Sequence, residues 1–197
     1  MCGRYQFSAA ESDDLRQIVR SVQKRCGQDE LNFRIIDGDV APSCSAPVLI
    51  SRGDKVVGDL QKWGMPGRNG HLIINARAET VTQKGMFRRS IAGRRCVIPA
   101  TAFYEWDSAH RPYLFTVPGS PLWLAGIYDC VDDVNCFVIL TTAPNASVSK
   151  IHDRMPLTLL RDEIRPWLTD PEAALTLLAR APAPLHCQAQ DGQLTFE

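Results

Sequence analysis

Apolar residues recur at helical spacing near the start of the chain. Leu15, Ile18, Val19, Val22 and Cys26 fall on one face of a 3.6-residue helix. Ser8 and Glu11 form a capping-box pattern that would start this helix, and Gly27 would end it. From about Phe33 the pattern changes to short apolar runs divided by turn residues, which predicts strands. Pro47 to Ser51 and Lys55 to Val57 flank Arg52-Gly53-Asp54 and read as a hairpin. Leu72 to Ile74 runs into Asn75, and Cys96 to Pro99 leads to Phe103 to Trp106. Further strands are expected over Tyr113 to Val117, Leu122 to Tyr128 and Phe137 to Thr142. Helices return at Leu160 to Leu168. Another runs from Glu172 to Arg180, behind Asp170 as N-cap and Pro171 in the first turn.

Many strands at short spacing with few helices between them predict an α+β fold. The sheet should be mainly antiparallel and curled toward a barrel, with a few flanking helices. The 197 residues fit one domain over 1–197, large enough for a core without staples. A hydrophobic share of 45% and a net charge of zero exclude a disordered chain. No apolar run reaches the roughly 18 residues of a membrane span, and the start has no apolar stretch of the kind a signal peptide needs. A cytoplasmic monomer is expected, associated with the nucleoid if it acts on DNA.

Seven cysteines without a CxxC pair, and four scattered histidines, argue against a zinc module or a secreted disulfide framework. No metal and no cofactor are expected, and at least five of the cysteines should be buried, inert thiols. The charge is balanced overall but not locally. Between Gln61 and Arg95 stand Lys62, Arg68, Arg77, Lys84, Arg88, Arg89, Arg94 and Arg95 against the single acid Glu79, a net +7. Such a window is either a solvated face or a phosphate-binding strip.

Cys2 follows the initiator Met directly. Methionine is normally removed before a small residue, which would leave a cysteine bearing both a free α-amine and a thiol. Their ordinary pKa values, about 7.7–8.0 and about 8.5, give both a nucleophilic fraction near neutral pH. An aminothiol can capture an aldehyde in two steps: the amine forms an imine, and the thiol then closes a thiazolidine ring. No internal cysteine can do this. Gly3 beside it lets backbone and ligand approach closely.

Two families begin Met-Cys-Gly: the class II glutamine amidotransferases and the SOS-response-associated peptidase (SRAP) family of abasic-site processing proteins. The later motifs resemble the second. Met1 to Tyr5 resembles its opening, Val40-Ala41-Pro42-Ser43 with Pro47-Val48 its "APT…PV" segment, and Trp63-Gly64 its WG motif. Asn75 to Thr80 matches NARAET. Arg94 to Ala100 with Phe103 to Trp106 matches "RRCLIPA…FYEW". Thr141 to Asn145 with Ile151 to Pro156 matches "TT.AN…HDRMP". The resemblance runs from residue 1 to about residue 168; residues 169–197 would add a C-terminal helix and tail.

The resemblance implies a protein that binds single-stranded DNA carrying an abasic site, including at single-strand/double-strand junctions. It would link its N-terminal cysteine to the ring-opened sugar as a thiazolidine, after autoproteolytic removal of Met1. It implies Cys2 as nucleophile and Asn75 as the amide holding the cysteine amine or the sugar hydroxyl. Glu105, a carboxylate on an apolar strand whose pKa should be raised, would shuttle protons through imine formation. His152 would protonate the sugar ring oxygen. Arg4, Arg77 and Arg154 would grip phosphates and Trp106 would stack on a base or sugar, with Pro42 and Met86 also facing DNA. This chain departs from the family after Trp63-Gly64. A second tryptophan is missing from Met65-Pro66-Gly67-Arg68-Asn69-Gly70-His71, so Met65 or Met86 would have to supply the apolar wedge. Two other readings stay open on residues alone: an N-terminal-cysteine amidohydrolase, and a non-catalytic single-stranded DNA binder using only the basic strip.

Overall fold

The computed structural model describes residues 2–26 and 37–190, so the expectations at Gly27 and Phe33 lie outside the described residues. In chain order the elements are β1 (Tyr5–Phe7), α1 (Asp13–Cys26), β2 (Gly38–Val40), β3 (Ser45–Arg52), β4 (Lys55–Trp63), β5 (Met65–Pro66), β6 (Leu72–Ile73) and β7 (Asn75–Arg77). There follow α2 (Gly85–Gly93), β8 (Arg95–Ala100), β9 (Ala102–Trp106), β10 (Pro112–Thr116), β11 (Leu122–Val131) and β12 (Val134–Thr142). The chain continues through β13 (Met155–Pro156), β14 (Thr158–Leu159), α3 (Ile164–Thr169), α4 (Pro171–Ala179) and β15 (His186–Ala189).

Strands β12, β4, β3, β8 and β11 close into a ring, because β11 pairs with β12 as well as with β8. This is the expected curled α+β sheet with flanking helices, and closure removes its exposed edges. Most pairings are antiparallel, but β12 runs parallel to both β4 and β7, so the sheet is mixed. A smaller sheet, ordered β15-β10-β9-β1-β2, carries the start of the chain. The core runs through the barrel, where Trp63 stacks on Phe137 at 6.2 Å and meets Tyr5 at 5.2 Å.

The helix signals divide. Ser8 heads only a single 3-10 turn, Ala9–Glu11, and its side chain caps nothing. The cap of α1 is Ser12, whose hydroxyl accepts from the Asp14 amide at 3.2 Å. Asp13 and Asp14 then fill the first turn, where negative charge suits the helix dipole. Asp170 caps α4 as its sequence predicts, accepting from the Glu172 and Ala173 amides. Of the six described cysteines, only Cys2, Cys96 and Cys136 are buried; Cys44 and Cys187 are half-buried and Cys130 is exposed. The expectation of at least five buried thiols therefore fails, because Cys130 sits near the tip of the β11–β12 hairpin and Cys187 lies on the edge strand β15.

Candidate active site

Four elements bring the candidate residues together at the seam between the two sheets. Cys2 leads into β1, and β9 pairs with β1 through Tyr5 and Phe103. Asn75 opens β7, which pairs with the last residues of β12. The loop from 143 to 154 then carries His152 back toward β9.

The Asn75 side chain donates from Nδ2 to the Cys2 carbonyl at 2.9 Å. It holds the backbone of Cys2, while its Oδ1 is buried with no hydrogen-bond partner among the described residues. The Cys2 side chain is wholly buried. Burial, with the Glu105 charge adding, drives its thiol far above the ordinary range, and backbone hydrogen bonding at Arg4 offsets this only in part. The thiol is therefore protonated at neutral pH, against the expectation of an ordinary thiolate fraction.

Strand alternation explains Glu105. Phe103 and Glu105 point inward on β9, while Tyr104 and Trp106 take the other face. Glu105 is 1% exposed, and burial raises its carboxyl to about 7, with the Asp153 charge adding to the rise. His152 Nε2 stands 3.8 Å from Glu105 Oε2. His152 Nδ1 accepts the Arg154 amide at 3.0 Å, which puts the neutral ring's proton on Nε2, facing Glu105. The same Nδ1 lies 3.0 Å from Asp153, a contact that becomes a hydrogen bond only when the ring is doubly protonated. Burial lowers the His152 pKa, so the neutral ring prevails at pH 7.

The outer face of β9 is the candidate DNA surface. Trp106 is half-buried rather than core, and the Arg4 guanidinium lies over its ring at 5.9 Å. Arg4 keeps only a loose pair with Asp39, at 3.6 Å. Arg77 is exposed at the end of β7. Pro42 is half-buried in a turn closed by the Cys44 amide on the Ala41 carbonyl, with Ser43 at φ +73°. Met86, 45% exposed, stands in the first turn of α2, whereas Met65 is buried; of the two methionines only Met86 is open to a partner. Gly64 of the WG pair sits at φ +109°, where an added Cβ would lie 2.6 Å from Leu72.

Two arginines leave the expected basic strip, and a third, Arg154, is engaged within the protein. Arg95 is buried, and its guanidinium donates to the carbonyls of Ile91, Ala92, Trp167 and Leu168, so it is a core tie between β8, α2 and α3. Arg94 pairs with Asp129. Arg154, expected on phosphate, forms a two-pronged bond to Glu79 at 2.8 and 2.9 Å and donates to the Thr141 carbonyl at 2.6 Å. Its guanidinium is turned into the protein. In the sequence Glu79 is both the lone acid among eight bases and part of the Asn75 to Thr80 motif, and that isolation is the one local sign of a dedicated partner.

The family model for SOS response associated peptidase (SRAP) matches residues 1–190. The chain is 33% identical over 198 residues to the abasic site processing protein YoaM of Bacillus subtilis, covering 90% of this chain and 85% of that protein. It is 28% identical to the abasic site processing protein YedK of Escherichia coli, covering 85% of this chain and 79% of that one. A solved protein from Bacteroides thetaiotaomicron has the same fold, with a TM-score of 0.75 at 24% identity, over 95% of this chain and 91% of that one.

Proposed function

The chain belongs to the SOS response associated peptidase family, and from that premise we propose that it processes abasic sites in single-stranded DNA by forming a covalent link through Cys2. The observation that carries this reading is the convergence of Cys2, Asn75, Glu105 and His152 at one seam, with Asn75 on the Cys2 carbonyl and Glu105 facing His152.

Removal of Met1 would free the Cys2 amine, and the buried, protonated thiol makes that amine the first nucleophile. It adds to the aldehyde carbon of the opened sugar. Glu105, its pKa raised to about 7 by burial, keeps a protonated fraction at neutral pH. It can therefore deliver a proton to the departing hydroxyl, which leaves as water from the carbinolamine. The Cys2 sulfur then adds to the imine carbon. Glu105, now a carboxylate, accepts the thiol proton as the sulfur adds; the iminium nitrogen keeps its own proton and becomes the neutral ring amine, so Glu105 ends protonated as it began. Aldehyde and aminothiol become thiazolidine and water, with no redox change. His152 serves the earlier step: its small imidazolium fraction protonates the ring oxygen of the closed sugar.

Arg4, Arg77 and Trp106 would hold the phosphates and bases beside the lesion, with Pro42 and Met86 at the margin. Arg154 stands apart from these, because Glu79 and Thr141 engage both of its terminal nitrogens and its side chain is only 14% exposed.

The test is incubation with single-stranded DNA carrying an abasic site, followed by denaturing electrophoresis and intact-mass analysis. A heat-resistant adduct lacking Met1 and weighing one water less than its parts is expected. DNA binding without a covalent band would leave only a binder, and ammonia release from glutamine without DNA reactivity would favour an amidohydrolase.

A further inference from the structure

Glu79 and Arg154 have no part in the chemistry above, yet they form the densest charged contact beside it. Arg154 donates from Nη1 to Glu79 Oε1 at 2.8 Å and from Nη2 to Oε2 at 2.9 Å. This fork-to-carboxylate geometry is the strongest charge-assisted arrangement that arginine makes. Nη2 also reaches the Thr141 carbonyl at 2.6 Å, and that carbonyl takes the Ala78 amide at 2.9 Å as well. One guanidinium thus ties together the segment just after β7, the end of β12 and the end of the loop from 143 to 154.

The tie bears on the imidazole through the backbone. The Arg154 amide is the donor that fixes His152 Nδ1 as an acceptor, at 3.0 Å. Where Arg154 sits therefore decides both the tautomer of His152 and the direction of its Nε2–H. The same tie sets the loop against the strand that begins with Asn75. The Arg154 side chain is 14% exposed and that of Glu79 46%, so the pair is shielded from water on the arginine side and open on the carboxylate side.

We propose that Glu79 and Arg154 are positioning residues for His152: their ion pair locks the end of the 143–154 loop onto β7 and β12 and keeps Nε2–H aimed at Glu105. The proposal rests on the abasic-site reading. It assigns Glu79 a role in opening the closed sugar and none in capturing an aldehyde that is already open.

The experiment compares Glu79→Gln with the unaltered protein on two substrates, an ordinary abasic site in single-stranded DNA and a permanently ring-opened aldehyde analogue. Glu79→Gln keeps one acceptor for Arg154 and loses the charge. About a 10- to 100-fold slower crosslinking on the closed sugar is expected, below the range of about 10²–10⁴ for removing a proton donor outright. The loss on the open analogue should be at least tenfold smaller. In a His152→Ala background, Glu79→Gln should add less than about twofold, because residues that act through one another are not additive. Arg154→Lys, which has no fork to span Glu79 and Thr141, should behave like Glu79→Gln.

Equal losses on both substrates, or an undiminished effect in the His152→Ala background, would overturn the proposal and leave a purely structural ion pair. Tighter DNA binding by Glu79→Gln with an unchanged closed-to-open ratio would overturn it too, since Glu79 would then compete with phosphate for Arg154. If the unaltered protein forms no adduct with either substrate, the abasic-site reading itself fails. If it forms adducts and the ratio is unchanged, only the positioning role falls.

Discussion

The imidazole Nε2 of His152 stands 3.8 Å from Oε2 of Glu105, with the ring on a loop and the carboxylate on a strand of the smaller sheet. Residues 47 apart in sequence thus face one another. One is kept mostly neutral by burial and the other is brought to a pKa of about 7. A carboxyl that titrates near neutral pH beside a mostly neutral imidazole suits a reaction that moves a proton at ring opening and again at imine formation.

That pairing predicts a division of labour. Glu105→Gln should slow crosslinking on closed and open sugars alike, by about 10²–10⁴. His152→Ala should slow the closed sugar much more than the open analogue, and should also slow reversal of the adduct. Single-turnover rates on the two substrates check this, and an equal loss for both variants on both substrates would show that the roles are not divided.

The Glu105 carboxyl also predicts a pH-dependent stability. Its pKa is 4.5 ordinarily and about 7 in the folded protein. Between those values the folded state keeps a proton that the unfolded chain has lost, so this residue's contribution falls as pH rises through that window. Glu105→Gln cannot ionise. It should match the unaltered protein near pH 4 and be more stable above pH 7, on the order of 2 kcal/mol. Thermal melts at the two pH values measure it, and a Glu105→Gln protein that is less stable at pH 8 would mean the carboxylate is held by stronger partners than burial opposes.

Thiol reactivity should follow burial rather than chemistry. Cys130 is exposed, whereas Cys2 is buried with its thiol held protonated. In the free protein, iodoacetamide should label Cys130 first and Cys2 slowly, as peptide mass mapping would show. Cys2→Ser should still yield an imine that borohydride traps, since the amine survives, but no heat-stable adduct. A heat-stable adduct from that variant would end the thiazolidine mechanism.

The arginines should separate into two classes. Arg95→Ala strips the Ile91, Ala92, Trp167 and Leu168 carbonyls of their buried donor and should cost about 3–5 kcal/mol. Arg77→Ala should leave stability within about 0.5 kcal/mol. It should flatten the log–log salt dependence of single-stranded DNA binding by about 0.7, the slope of one phosphate contact. Denaturant melts and binding titrations at several salt concentrations test both, and a salt-independent affinity would make the basic window a solvated face.

Much of this protein is legible in its sequence because the relevant physics is local. Gly53-Asp54 between two apolar runs dictates a tight hairpin, and Arg52 does pair with Lys55 across it. Asp170-Pro171 sets the start of α4. Alternation along Phe103-Tyr104-Glu105-Trp106 puts Glu105 on the buried side with Phe103, so a raised carboxyl pKa follows from the pattern alone. An aminothiol at position 2 likewise announces its chemistry through covalent structure. What the sequence could not decide are the partners chosen across long separations. Ser8 and Ser12 are equally good caps until the chain direction at Ser12 selects the second. Arg95 and Arg77 are identical as charges. Only the packing of α2 and α3 against β8 buries one of them, while the edge of β7 leaves the other in water. Arg154 reads from its motif as a phosphate ligand, yet closure of β7 onto β12 brings Glu79 to it from 75 residues away. Burial depends on the whole fold, and burial decides which charges are paired, which pKa values move, and hence which side chains remain free for DNA.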